Sequence, residues 1–91
     1  MKNVRWDVLF LGRVQGVGFR YTSKQVAGRF DVTGWVKNLS DGTVQMVVEG
    51  LPDEMESYLD AVGAETHGRV TDRKIQRKPA TGEFSGFEIR H

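Results

Sequence analysis

The period of the chain changes between Leu11 and Phe19. Upstream, Val4, Trp6, Val8 and Phe10 alternate with a two-residue repeat, the pattern of a strand. Downstream, Phe19, Ser23, Val26, Ala27 and Phe30 recur at helical spacing. Only Gly12-Arg13-Val14-Gln15-Gly16-Val17-Gly18 lies between them. A strand passing into a helix through so short a turn commits the first third of the chain to a β-α unit. Leu9 and Leu11 make the far end of the strand apolar on its second face as well, which places it inside a sheet rather than at an edge.

The rest of the chain follows the same grammar. Val32 to Asn38 is a second strand, Ser40-Asp41-Gly42 a turn, and Thr43 to Glu49 a third strand with Val44, Met46 and Val48 on one face. Pro52 opens a second helix whose buried stripe is Leu51, Met55, Tyr58, Leu59 and Val62, with Gly63 marking its end. Gly28 falls inside the first helix, at a cost of about 1 kcal/mol relative to alanine. Val70 to Gln76 reads as a polar fourth strand at an edge, Thr81-Gly82 as a break, and Phe87 and Ile89 as a short final strand. The order β-α-β-β-α-β predicts a ferredoxin-like α+β open-faced sandwich. Two helices cover one face of an antiparallel sheet, with a short extra C-terminal strand. Residues 1–91 are expected to form one domain.

Composition excludes several chemistries. There is no cysteine, so there is no disulfide, thiolate metal site or thiol nucleophile. The two histidines, His67 and His91, lack metal-ligand spacing. Thirteen Lys and Arg against twelve Asp and Glu give a net charge of +1, too balanced for nucleic-acid binding through bulk charge. The N-terminus has no signal-like apolar region, and no segment approaches membrane-spanning length. The expectation is a cytoplasmic monomer with no cofactor, no bound metal, no nucleic-acid partner and no membrane partner.

The glycine-rich turn carries the chemistry. Clustered glycines let several backbone N–H groups converge, and a helix N-terminus favours an anion. Arg20 adds a planar, permanently charged fork suited to phosphate. The loop is neither a dinucleotide fingerprint, since Tyr21 stands where a third glycine is needed, nor a Walker loop, since no Gly-Lys-Ser/Thr follows. From these residues alone, a phosphate pocket and a plain tight turn with a surface arginine are both open.

A second segment bears on the choice: Gly34-Trp35-Val36-Lys37-Asn38, then Gly42-Thr43-Val44, then Gly50. Together the two segments resemble the two signature motifs of the acylphosphatase family. Gly12 to Arg20 matches Gly-x-Val-Gln-Gly-Val-x-Phe-Arg, and Gly34 to Gly50 matches the second motif at every fixed position. Chain length and element order match too. The chain departs from the pattern at Phe10, where the family usually has a small aliphatic residue, and at Asp31, where a helix-ending glycine is common.

The resemblance implies hydrolysis of acyl phosphates to a carboxylate and inorganic phosphate, without a metal. It implies that Arg20 and backbone N–H groups of Gln15, Gly16, Val17, Gly18 and Phe19 bind the phosphoryl group, and that Asn38 holds the attacking water. The alternative is a non-catalytic phosphate-binding or regulatory domain of the same fold. A chain that starts at Met1 and holds one domain favours the enzyme. Phe19 at a loop–helix junction argues against a base-stacking RNA-binding sheet, whose aromatics lie on central strands. Trp35 reads as core or sheet surface, and the charged run Arg69 to Lys78 as a solvated edge that discourages sheet-to-sheet pairing.

Overall fold

The computed structural model describes residues 2–16 and 18–91; Val17, one of the expected loop contacts, lies outside the described residues. Among them the elements run β1 (Val4–Gly12), α1 (Phe19–Ala27), β2 (Val32–Asn38), β3 (Val44–Gly50), α2 (Pro52–Glu65), β4 (Val70–Pro79) and β5 (Phe87–Arg90). The sheet order is β4-β1-β3-β2-β5. The first four strands pair antiparallel, as the ferredoxin-like reading requires, with β1 inside and β4 at an edge. β5 adds itself parallel to β2 at the other edge, which makes the five-stranded sheet mixed.

The alternating residues of β1 fulfil their pattern. Trp6, Val8 and Phe10 are buried beneath the helices together with Val36, Val44, Met46 and Val48 from the neighbouring strands. Met55, Tyr58, Leu59 and Val62 of α2 and Phe19 and Val26 of α1 close the core from above. Phe10 meets Phe19 edge-on at 5.0 Å, so the unusual residue in β1 is absorbed by aromatic packing under the loop. The Tyr58 hydroxyl crosses between helices to donate to the Ser23 carbonyl at 2.8 Å, and burial pushes its pKa up. At the far end of the sheet, Glu49 is buried and accepts from Thr81 N and Gly82 N at 2.9 Å each and from Thr81 Oγ1 at 3.0 Å. Burial would raise its pKa, but these hydrogen bonds and Arg5 outweigh it and hold the carboxyl below its ordinary value.

Two helix boundaries differ from the sequence reading. Gly28 is not inside α1 but follows its last residue, with φ −65°, so the mid-helix penalty does not arise. Gly63 does not end α2, which continues to Glu65. Its final carbonyls are taken by Thr66, whose hydroxyl donates to Val62 O at 2.8 Å. The left-handed backbone that turns the chain comes later, at His67 (φ 55°) and Gly68 (φ 72°). Asp31 carries no left-handed strain, because its φ is not positive; its N–H donates to Glu54 Oε1 instead.

Gly34 fixes the centre of β2. Its φ is +148°, and a Cβ there would lie 1.8 Å from the Val47 carbonyl oxygen across the β2–β3 pair. No side chain fits in that space, which accounts for the glycine that opens the second motif.

Candidate active site

Strand register brings the two motifs together. Phe10 of β1 pairs with Val44 of β3, and Val44 pairs with Asn38 of β2. The three residues form one row across the sheet, so the loop leaving β1 and the end of β2 emerge at the same edge. Gln15 then ties them. Its Nε2 donates to Leu39 O at 2.6 Å and to Thr43 O at 2.8 Å, strapping the glycine loop to the β2–β3 turn. That turn is itself held by Asp41 Oδ1, which accepts from Thr43 Oγ1 at 2.6 Å and Thr43 N at 3.0 Å. The hydroxyl bond, followed by the backbone bond, lowers the Asp41 pKa.

The loop enters α1 through left-handed glycines. Gly16 and Gly18 have φ of +73° and +77°, and Gly18 is the N-cap. Among the described residues no side chain caps this helix, and no acidic residue occupies its first turn, so its N-terminal N–H groups and the positive end of its dipole stay available to an anion. The Phe19 side chain turns into the core, 2 % exposed.

These residues enclose a cleft of about 280 Å³. Its lining joins Gly16, Gly18 and Arg20 of the loop and α1 with Asn38 of β2, while Val14, Phe19 and Ile89 supply apolar surface. Arg20 is anchored rather than free: Nη1 donates to Arg90 O at 3.0 Å and to His91 Nδ1 at 3.2 Å. A guanidinium has five N–H donors, so the rest of the fork remains for a ligand. Asn38 Oδ1 is buried and accepts no hydrogen bond from any described residue. An unpaired buried carbonyl costs about 1–3 kcal/mol, which a fold retains where the atom has a use.

The sequence profile of the acylphosphatase family matches residues 6–89. The chain belongs to the acylphosphatase family. It is 49% identical over 90 residues to an acylphosphatase of Thermococcus kodakarensis, covering 98% of each chain. It is 42% identical over 91 residues to one of Syntrophotalea carbinolica, covering 99% of each. The crystal structure of acylphosphatase from Bacillus subtilis superposes with a TM-score of 0.88 at 32% identity, over 97% of this chain and 99% of that one.

Within this acylphosphatase fold, the described residues expected at the site do meet. Gln15, Gly16, Gly18, Phe19, Arg20 and Asn38 all converge on the cleft or its strap. The Gln15 side chain, however, is spent on the hairpin and leaves only its backbone to face an anion. Trp35 lies on the open sheet surface, covered by the Arg90 guanidinium at 4.7 Å from the ring centroid. Sequence reasoning missed Tyr21, Ile89 and His91, which also line the cleft. Ile89 and His91 arrive through the parallel pairing of β5 with β2, in which Lys37 faces Arg90. Lys24 is in the last turn of α1, where a cation complements the helix dipole.

Proposed function

We propose a division of labour for the acyl phosphate hydrolysis that family membership assigns to this chain: Arg20 and the loop N–H groups hold the phosphoryl group, and Asn38 holds the attacking water. The observation that carries this reading is the buried, unpaired Asn38 Oδ1 in the same cleft as the Arg20 fork and an uncapped helix N-terminus. Asn38 lines the cleft with a carboxamide whose Oδ1 has no other partner among the described residues; turned toward the cleft, it accepts a hydrogen bond from water and orients the water's own lone pair toward phosphorus. Arg20 and the amides then stabilise charge on the three equatorial oxygens as the water oxygen–phosphorus bond forms.

The bond between phosphorus and the carboxyl oxygen breaks in line with the attack. The leaving carboxylate is a weak base and departs without a general acid. The water's protons pass to phosphate oxygens and solvent, since an amide is no base at neutral pH. Among the described residues, no three His, Cys, Asp or Glu side chains gather to hold a metal ion, and no step of this scheme uses one. No described helix is long and apolar enough to cross a membrane. The protein acts as a monomer in this reading, because a single chain supplies every group the chemistry needs.

The test is phosphate release from benzoyl phosphate in the presence of excess chelator. Turnover by the wild type, lost in Arg20→Ala and in Asn38→Ala while each keeps its circular dichroism spectrum, supports the assignment. Full activity in either variant removes that residue from the site. Tight phosphate binding without turnover by the wild type leaves the binding-domain alternative.

A further inference from the structure

The phosphoryl cradle grips what every acyl phosphate shares, so any preference among acyl groups must arise elsewhere in the cleft. Attack in line from the Asn38 side sends the acyl group the opposite way, out of the cradle. The cleft has space for it. At about 280 Å³ it exceeds a phosphoryl group, which occupies a few water volumes of about 30 Å³ each.

Tyr21 lies on that lining. It is 62% exposed, and no other large hydrophobic side chain among the described residues is exposed. A single exposed aromatic ring needs no explanation by its mere presence. This one immediately follows Arg20 and is tethered. Gln25, one turn further along α1, donates from Nε2 to the Tyr21 hydroxyl at 2.6 Å. The tether limits ring rotation, so part of the ordering cost of docking a ligand is met before the ligand arrives. Ile89, half-buried in the same cleft, provides a second apolar surface.

We infer that Tyr21 seats the acyl group, so that this chain favours acyl phosphates with aromatic or bulky apolar acyl groups over acetyl phosphate. The inference rests on the hydrolase reading and deepens it. A methyl group is too small to cover the ring, whereas a phenyl group can stack on it. The contact is worth what an aromatic pair usually is, about 2- to 12-fold in affinity.

The experiment compares kcat/KM for benzoyl phosphate and acetyl phosphate in the wild type, Tyr21→Ala and Tyr21→Phe, with Ki for inorganic phosphate measured in each. The benzoyl-to-acetyl ratio is expected to fall about 2- to 12-fold in Tyr21→Ala, through KM for benzoyl phosphate, and to fall by less in Tyr21→Phe, which keeps the ring and loses only the Gln25 tether. Phosphate Ki is expected to stay the same in all three. An unchanged ratio in Tyr21→Ala overturns the inference and leaves the hydrolase reading standing. So does an equal loss in Tyr21→Phe, or a phosphate Ki that rises in step with KM, since Tyr21 would then be shaping the cradle. A wild type that turns over neither substrate overturns both readings.

Discussion

Replacing Gln15 with leucine keeps much of the side-chain bulk and removes the strap between the glycine loop and the β2–β3 turn. Two hydrogen bonds disappear, to Leu39 O at 2.6 Å and Thr43 O at 2.8 Å. Thr43 O retains the Leu39 N–H at 2.9 Å and Leu39 O retains the Gly42 N–H at 3.3 Å, so neither carbonyl is left without a partner. At about 1 kcal/mol net per bond, the loss of stability is about 2 kcal/mol. For a domain of this size that lowers Tm by about 8–16 °C in a calorimetric or circular-dichroism melt. The strap also sets the distance between the Arg20 side of the cleft and Asn38, so kcat for an acyl phosphate is expected to fall about tenfold or more at a temperature where the variant is folded. A variant that melts early yet keeps the wild-type kcat would refute the positioning argument. One that loses neither stability nor rate would refute the strap itself.

Other consequences follow from the same structure. Tyr58→Phe removes the hydroxyl that joins α2 to the buried Ser23 carbonyl and is expected to cost about 1–2 kcal/mol in urea denaturation, with no change in KM. Gly34→Ala places a Cβ 1.8 Å from Val47 O and should abolish the folded state, seen as loss of dispersed amide resonances; a folded variant would show that β2 and β3 can separate there. Glu49→Gln turns an amide N–H toward one of the N–H donors of Thr81 and Gly82 and is expected to cost about 2 kcal/mol at pH 7. The folded pKa of Glu49 is lowered, so its stabilisation is present above the unfolded value of about 4.3 and is lost as pH falls through the folded value. The gap between wild type and variant should therefore be full above the unfolded value and narrow as pH falls through the folded value, and a gap that stays constant down to the acid unfolding transition would contradict the role of the charge.

How much of this was legible depends on how local each signal is. The alternation of Val4 to Phe10 and the helical spacing after Phe19 carry their own periods; the strand forms where its period places it, and the helix starts at Phe19 but stops at Ala27, short of Phe30. Asn38 joins the glycine loop only through the row Phe10–Val44–Asn38, a product of pairing between distant strands that no single segment encodes. The motifs pointed to Asn38, but its reach was a matter for register. Gly63 looked like a stop because glycine often ends helices; the Thr66 hydroxyl and the left-handed pair His67–Gly68 supply the stop instead. Gln15 was placed at the site for its backbone, and nothing in a lone glutamine announces a strap to carbonyls 24 and 28 residues away. Ile89 and His91 were invisible for a related reason. A four-residue strand with two apolar positions does not say that it will lie parallel to β2.

The central claim is that Arg20 and Asn38 do different jobs in one cleft. Ki for inorganic phosphate and kcat for benzoyl phosphate, measured side by side in Arg20→Ala and Asn38→Ala, test it most directly. Arg20→Ala is expected to raise the phosphate Ki at least about tenfold, while Asn38→Ala leaves that Ki near the wild-type value and lowers kcat about 100-fold or more, as loss of one preorganised group in an active site typically does. Equal weakening of phosphate binding in both variants, or a normal kcat in Asn38→Ala, would contradict it.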